Sequence, residues 1–252
     1  MVLLESGKLP LANYVSIWGL KELRGITITS DAVILGALTT YTDVLSHPVL
    51  RSEFPLLCAA ARQTGGIATQ NRGTLGGNIA NGSPAADSPP ALLAYDAELE
   101  LVSAAGVRRV AYDRFHSGYK VMDLAPGELI HRIILPRRHA GWRQTYRKVG
   151  TRNAQAISKV CLAAVVDVDA NRVRDVRVAL GSVAPCVVRC VHAEAALRDQ
   201  RLDGAVAHAV AAGLALDISP IDDMRSTARY RMRVAQNLLI QFLTDSHSGR
   251  SD

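Results

Sequence analysis

Residues 71–90, NRGTLGGNIANGSPAADSPP, form the stretch that decides the fold. Glycines recur in it, and glycine permits positive φ and lets another group approach the backbone closely. Short polar side chains lie between them, at Thr74, Asn78, Asn81 and Ser83. A run of backbone N–H groups beside small residues is what an anion such as a pyrophosphate requires. Two interpretations stay open on composition alone, a phosphate-binding loop or a Gly-rich turn.

The second half of this stretch predicts a helix. Ser83 is a favourable N-cap residue, and Pro84 fits the first helical position. Asp87 would then lie in the first turns, where a carboxylate interacts favourably with the helix dipole. Its role stays open between a solvated helix charge and a hydrogen-bond acceptor for a ligand hydroxyl.

Composition and charge set the limits on function. The 252 residues are 48% hydrophobic but only 5% aromatic, so the core must consist of Ala, Val, Leu and Ile. The net charge of +6 has no block of like charges, and no basic and aromatic interleaving is visible, so nucleic-acid binding is not expected. The sequence contains no GxGxxG, GxxxxGK[ST] or HExxH motif.

The cysteines and the N-terminus indicate a reducing compartment. Four cysteines fit no zinc or iron–sulfur spacing and are expected to be small buried hydrophobic residues, at positions 58, 161, 186 and 190. Without a disulfide framework, a cytoplasmic location is predicted. The N-terminal residues have neither the basic region of a signal peptide nor an apolar run long enough for a membrane span.

Hydrophobic periodicity predicts a mixed chain up to residue 136. Strands are expected at 26–29, 32–38, 98–103, 107–112 and 128–136. Helices are expected at 39–50, where Pro48 would end the helix, and at 56–62. The short polar segment 137–141 is the predicted domain boundary.

The hydrophobic pattern changes after that boundary. Three strands are expected within 142–150, 158–168 and 173–183, the last two joined by a turn at 169–172. The remainder is predicted to be helical. On the last helix, an apolar stripe at i, i+4 spacing is expected to pack in the core and consists of Tyr230, Val234, Leu238 and Phe242.

The segment 72–103, RGTLGGNIANGSPAADSPPALLAYDAELELVS, closely resembles the signature of the FAD-binding (medium) subunit of the molybdenum hydroxylases. That family includes xanthine dehydrogenase and carbon monoxide dehydrogenase. The resemblance covers essentially the whole chain, since it continues through FHSGYK (115–120), PGELIHRIILP (126–136), YRKVGTRNAQAISKV (146–160), VALGSVAPCVVRC (178–190) and DDMRSTARYRMRVAQNLL (222–239).

The resemblance implies an α+β fold with two domains. A vanillyl-alcohol-oxidase-like (PCMH-type) FAD-binding domain is expected over 1–140. A smaller C-terminal domain, a three-stranded sheet with helices, is expected over 141–247. A disordered tail is expected at 248–252.

The resemblance also implies where FAD would bind. In the family, the loop matching Thr74, Leu75, Gly76, Gly77 and Asn78 holds the FAD pyrophosphate through backbone N–H groups. The positions matching Asp87, Ile130 and Lys148 also lie at the cofactor. For Lys148, an ordinary surface charge is the open alternative. The resemblance implies no catalytic residue and no metal ligand in this chain.

The implied function is electron transfer. In the family, substrate is hydroxylated at a molybdopterin centre on a large subunit, and electrons pass through [2Fe–2S] clusters on a small subunit. FAD then passes them to an acceptor such as NAD. Two alternatives stay open, a structural subunit of the same kind of complex without FAD and a self-standing flavin oxidase.

Two departures from the family pattern bear on FAD binding. The family has a first FAD loop, of the Ala-Gly-Gly-Thr-Asp type, where this sequence begins at Met1, so the chain is expected to be N-terminally shortened and to lack that loop. Thr69-Gln70-Asn71 stands where the family often has Ile-Arg-Asn. Loss of that arginine is expected to alter how the loop is fixed.

Overall fold

The computed structural model describes residue 7 and residues 13–152 and 155–248. Its strands are β1 (Ile26–Ile28), β2 (Ala32–Gly36), β3 (Glu98–Ser103), β4 (Gly106–Ala111), β5 (His116–Gly118), β6 (Val121–Met122), β7 (Leu129–Pro136), β8 (Arg143–Val149), β9 (Val160–Asp169), β10 (Arg172–Gly181) and β11 (Val188–Arg189). Its helices are α1 (Tyr41–Ser46), α2 (Pro48–Glu53), α3 (Pro55–Gln63), α4 (Ile67–Arg72), α5 (Leu75–Ala80), α6 (Ser88–Ala94), α7 (Val191–Leu197), α8 (Gly204–Ala212) and α9 (Ala228–Ser248).

The first sheet is antiparallel, with the strand order β1-β2-β7-β3-β4. Ile26 faces Leu35 across the predicted tight turn, and Leu35 in turn faces Ile133. The strands predicted in this half are therefore confirmed. Among the side chains that this sheet contributes to the first core are the fully buried Leu35, Leu99 and Ile133, and α1, α2, α3, α5 and α6 pack against them in the same core.

Proline acts differently from the prediction between residues 39 and 50. The expected single helix is wrong, because α1 ends at Ser46 and Pro48 begins α2 rather than ending a helix. A missing N–H is tolerated at the first helical position. Pro55 begins α3 in the same way, so this segment is a chain of short helices.

The second sheet has the order β11-β10-β9-β8, so the three predicted strands are confirmed and a two-residue edge strand is added. Ala170 and Asn171 adopt positive φ in the turn between β9 and β10. Strand β9 is buried on both faces: Cys161, Ala163 and Val165 belong to the first core, and their neighbours in the chain belong to a second core. This double burial explains the continuous apolar run VCLAAVV.

The second core lies between this sheet and α7, α8 and α9. The predicted stripe on α9 is confirmed in part, since Phe242 is buried in this core and Val234 and Leu238 are partly buried against it. Tyr230 is 44% exposed, whereas Arg231, Ala235 and Leu239 are buried. Arg231 fixes the rotation of the helix, because it donates to the Ser182 carbonyl at 2.7 Å and pairs with Asp223 at 2.6 Å.

Cysteines 58, 161 and 190 are buried and Cys186 is half-buried, and all four are free thiols. None of the helices in the described ranges is long and apolar enough to cross a membrane. Helix α9 takes in Ser248, and the rest of the predicted tail lies outside the described residues. The boundary after residue 140 stays a prediction; residues 137–139 form a short 3-10 helix there.

Candidate functional site

The segment predicted as a phosphate loop forms the short helix α5. Thr74 caps it, since the Thr74 hydroxyl oxygen accepts from the Gly77 N–H at 3.1 Å. The Leu75 N–H donates to the Thr39 carbonyl, and the Gly76 N–H donates to the Ala37 carbonyl. These three donors therefore have acceptors within the chain in this conformation, and a phosphate contact through them stays a prediction.

The glycines of this segment are required mainly by close packing, and positive φ accounts for fewer of them. A Cβ on Gly76 would lie 2.7 Å from the Ala37 Cβ, and one on Gly73 would lie 2.9 Å from the Tyr41 ring. Within the stretch 71–90, only Gly82 adopts positive φ, at 58°. Gly73 and Gly76 thus let α5 lie directly on its neighbours.

The helix predicted with Ser83 as its N-cap starts four residues later. Ser83-Pro84 belongs to a turn, in which the Ala86 N–H donates to the Ser83 carbonyl at 3.1 Å. Helix α6 begins at Ser88 and has Asp87 at its N-cap position, without a side-chain capping bond. Asp87 is consequently free of the helix and is available for another interaction.

That interaction is a buried ion pair with Lys148. The Lys148 ammonium donates to Asp87 Oδ2 at 2.8 Å and to the Gln63 carbonyl at 3.2 Å. The Lys148 side chain is only 4% exposed, so the alternative of an ordinary surface charge is wrong. Burial raises the pKa of Asp87, and Lys148 opposes that rise. Asp87 Oδ1 is buried without a hydrogen-bond partner, so the carboxylate retains acceptor capacity.

Asp87 lies at the wall of a cleft of about 440 Å³. The cleft lies between the turn before α4, helix α5, the 83–87 turn and the segment 155–157, and it is lined by Gly65, Gly66, Thr69, Asn78, Asn81, Ser83, Ala85, Ala86, Asp87, Gln155, Ala156 and Ile157. Its walls are mostly polar, and they include amide, hydroxyl and carboxylate groups. These groups can donate and accept hydrogen bonds to a polar ligand.

The structure brings two of the eight predicted site residues, Asn78 and Asp87, into this lining. Lys148 lies behind Asp87, while the helix residues 74–77 form the support beneath Asn78. Ile130 is in β7 opposite Leu101, is 7% exposed and belongs to the first core. A direct contact of Ile130 with the cofactor therefore stays a prediction.

Sequence reasoning missed several cleft residues. In the sequence, the Gly65-Gly66 pair indicates only the end of a helix, and Gln155 belongs to no recognisable motif. The Gln155 side chain lies against Gly66, since a Cβ there would be 2.9 Å from its Nε2. Gln70, at the departure from the family's arginine, donates to the Arg62 and Thr64 carbonyls at 3.2 and 3.3 Å and so fixes the adjoining turn.

In the described part of the chain, no cluster of three or more His, Cys, Asp or Glu side chains is suited to a metal ion. His192, two residues after Cys190, pairs with Asp217 at 2.8 Å.

Comparisons with known proteins identify both halves of the chain. Residues 1–138 match the family described as the FAD binding domain in molybdopterin dehydrogenase, and residues 144–246 match the CO dehydrogenase flavoprotein C-terminal domain. The α+β fold, a FAD-binding domain followed by a C-terminal flavoprotein domain, is thereby confirmed.

Individual relatives agree with this result. The xanthine dehydrogenase FAD-binding subunit of Escherichia coli O157:H7 is 33% identical over 93% of this chain and 81% of its own length. The glyceraldehyde dehydrogenase medium chain of Sulfolobus acidocaldarius is 32% identical over 88% and 78%. A solved structure of carbon monoxide dehydrogenase from Hydrogenophaga pseudoflava superposes with a TM-score of 0.86, at 30% identity, over 91% of this chain and 80% of that chain.

Proposed function

The chain belongs to the FAD-binding subunits of the molybdenum hydroxylases, a family of oxidoreductases with FAD as cofactor, and we propose that it passes electrons from [2Fe–2S] clusters of a partner subunit through FAD to an acceptor. A flavin supplies the chemistry for this task, because it takes up electrons singly from clusters and releases them in pairs. The residues of this chain contribute the position and the electrostatic environment of the cofactor.

The observation that carries the proposal is the buried Asp87 carboxylate at the wall of the cleft. Lys148 occupies one of its oxygens, while the other has no partner. A buried acceptor without a partner is costly, and a hydroxyl of FAD would satisfy it. Asp87 therefore accepts a hydrogen bond from the cofactor, and Lys148 keeps the carboxylate ionised and in place.

The segment 74–78 shapes the cleft on the opposite side. Since the Leu75, Gly76 and Gly77 N–H groups are occupied within the chain, its contribution comes from the Asn78 side chain and from the close packing at Gly76. This assignment keeps the predicted residues in the site and changes the groups through which they act.

We propose a pyridine nucleotide such as NAD as the electron acceptor. A second cavity, of about 430 Å³, lies on the far side of the 83–87 turn and shares Ala85 with the cleft. Arg225 and Tyr119 are among its lining residues, and they offer a guanidinium for a phosphate and an aromatic ring for stacking. Arg225 also pairs with Asp223 of the same cavity at 3.3 Å, so a phosphate would compete with that carboxylate. With Arg225→Gln in the assembled complex, we expect a higher KM for NAD and an unchanged rate when an artificial dye replaces NAD as the electron acceptor.

Two partner subunits are implied, a small subunit with [2Fe–2S] clusters and a large molybdopterin subunit that oxidises the substrate. A cytoplasmic location is proposed as well, which the free thiols of the described chain favour.

The visible spectrum of the purified protein tests the proposal. We expect flavin bands at about one FAD per chain and co-purification with molybdenum and iron–sulfur polypeptides.

Asp87→Asn should weaken FAD binding by about 1.5–3 kcal/mol, because a charge-assisted hydrogen bond is lost. The control Asp113→Asn changes an exposed carboxylate in a 3-10 helix and should leave the affinity unchanged. A protein without flavin would be a structural subunit, and a flavoprotein without partners would be a self-standing oxidase.

A further inference from the structure

Ser88 is the first residue of α6, and its side chain is completely buried. Its hydroxyl donates to Asn78 Oδ1 at 2.6 Å. Asn78 lines the cleft, whereas Ser88 does not. The bond thus joins the start of one helix to the cleft-facing side chain of another.

This bond decides which end of the Asn78 amide is left for a ligand. A side-chain amide has an acceptor oxygen and a donor NH₂ group, and the two are interchanged by a half-turn about the last torsion. A serine hydroxyl has a single proton to donate, and here that proton is given to the amide oxygen. The Nδ2 donor is then the end of the amide that remains for the cleft.

The neighbouring residue has the complementary character. Asp87 can only accept while it is ionised, and Lys148 stabilises that form. Asp87 and Ser88 therefore give the cleft an acceptor directly and a donor through Asn78. A ligand with a hydroxyl near an acceptor oxygen matches this arrangement, and FAD contains both groups.

We propose that Ser88 is a positioning residue for FAD, which holds the Asn78 amide so that Nδ2 donates to an acceptor oxygen of the cofactor. This inference rests on the proposed binding of FAD in the cleft. Ser88 itself does not touch the cofactor, so its effect must pass entirely through Asn78.

A double-mutant cycle on FAD affinity tests that dependence. The dissociation constant is measured on the full chain by quenching of flavin fluorescence, for Ser88→Ala, Asn78→Ala and the double variant. Ser88→Ala should weaken binding about fivefold in the wild-type background, the typical value of one hydrogen bond. It should cause no further loss in the Asn78→Ala background. Equal losses in both backgrounds, or no loss in the first, would overturn the proposal.

Ser83→Ala is the matched control. Ser83 also lines the cleft, but its hydroxyl oxygen accepts from the nearby Ala85 N–H at 3.3 Å and is not bonded to Asn78. Whatever its own effect on affinity, that effect should be the same with and without Asn78. The thermal midpoint of each serine variant is measured as well. A variant that lost affinity through poor folding would show a lower midpoint, and its loss of affinity would not depend on Asn78.

A second readout needs no cofactor. The Asn78 NH₂ resonances are identified in a ¹H–¹⁵N spectrum by their absence in Asn78→Ala. In Ser88→Ala they should shift and broaden, because the amide is no longer held, and unchanged resonances would contradict the inference. If the wild-type chain bound no FAD, the proposed function would fail, while this spectrum would still decide the role of Ser88.

Discussion

Gly76 and Gly77 are adjacent residues of α5 with different surroundings. A Cβ on buried Gly76 would lie 2.7 Å from the Ala37 Cβ, whereas one on exposed Gly77 would meet only the Thr74 hydroxyl at 2.9 Å. Gly76→Ala should therefore lower the free energy of unfolding by about 1–3 kcal/mol through overpacking. For Gly77→Ala the loss should be smaller, since alanine favours a helix by up to about 1 kcal/mol over glycine. Urea unfolding of both variants measures the difference, and equal losses would contradict the packing of α5 on Ala37.

The buried pair of Asp87 and Lys148 gives a prediction about pH. Lys148→Gln leaves the Asp87 carboxylate buried without its cation, which should cost about 3 kcal/mol near neutral pH. Burial already raises the pKa of Asp87, and loss of Lys148 raises it further. The folded state then binds a proton more readily than the unfolded state, so the deficit should shrink as the pH falls.

Urea unfolding at about pH 8 and about pH 5 measures this change. The exposed Lys120→Gln is the control, and it should differ little from the wild type at either pH. A Lys148→Gln deficit that stayed constant or grew on acidification would contradict the assignment of Asp87 as the titrating group.

Asn78 and Asp87 could be predicted from the sequence because both belong to a recognisable motif. In the structure both residues line the cleft. Sequence reasoning could not find Ser88 or Gln155, whose contributions depend on contacts between separate segments. It also assigned the segment 74–78 to free backbone N–H groups. Tertiary packing decides that point, because the acceptors of two of them come from residues 37 and 39.

At the scale of elements, the rotation of α9 distinguishes two neighbouring leucines. Leu239 is fully buried in the second core, whereas Leu238 is only partly buried against it. Leu239→Ala should cost about 2–5 kcal/mol of unfolding free energy, since it leaves a cavity. Leu238→Ala should cost less than half as much. The same urea measurement checks both variants, and the reverse order would restore the stripe of Tyr230 and Leu238 that periodicity predicts.

Periodicity predicted most strands and the existence of most helices, but not their exact faces or starts. Tyr230 does not join the α9 stripe, because the neighbouring Arg231 is buried and bonds the Ser182 carbonyl, a contact that a hydrophobicity pattern does not register. Helix α6 starts at Ser88 because the preceding residues form a turn of their own, although Ser83-Pro84 has the composition of a helix start. Local signals thus identify elements, and contacts between elements fix their rotation and limits.

At the scale of the whole molecule, Asp96 joins the two sheets. It follows α6 and has a positive φ of 51°. Its carboxylate pairs with Arg189 of β11 at 2.5 Å, Arg177 of β10 at 2.9 Å and Arg138 of the boundary segment at 2.6 Å. His139, which is fully buried, lies 3.4 Å away. One carboxylate therefore holds two strands of the C-terminal half and the boundary segment against the end of a helix from the FAD-binding half.

Asp96→Asn should cost about 3–5 kcal/mol of unfolding free energy near neutral pH, because it leaves the partly buried Arg177 and Arg189 without their shared anion. Burial alone would raise the pKa of Asp96, but His139 and the arginines outweigh it and hold that pKa well below its usual range. The stabilisation is thus present above the ordinary pKa of an aspartate, about 3.9, and is lost as the pH falls below it. Urea unfolding should give the same Asp96→Asn deficit at about pH 7 and about pH 5, and a smaller one near pH 3.5.

The exposed pair of Asp169 and Arg174 supplies the control, since Asp169→Asn should change stability by less than about 1 kcal/mol. A deficit for Asp96→Asn no larger than that control would mean that the ion pairs of Asp96 do not contribute to holding the two halves together.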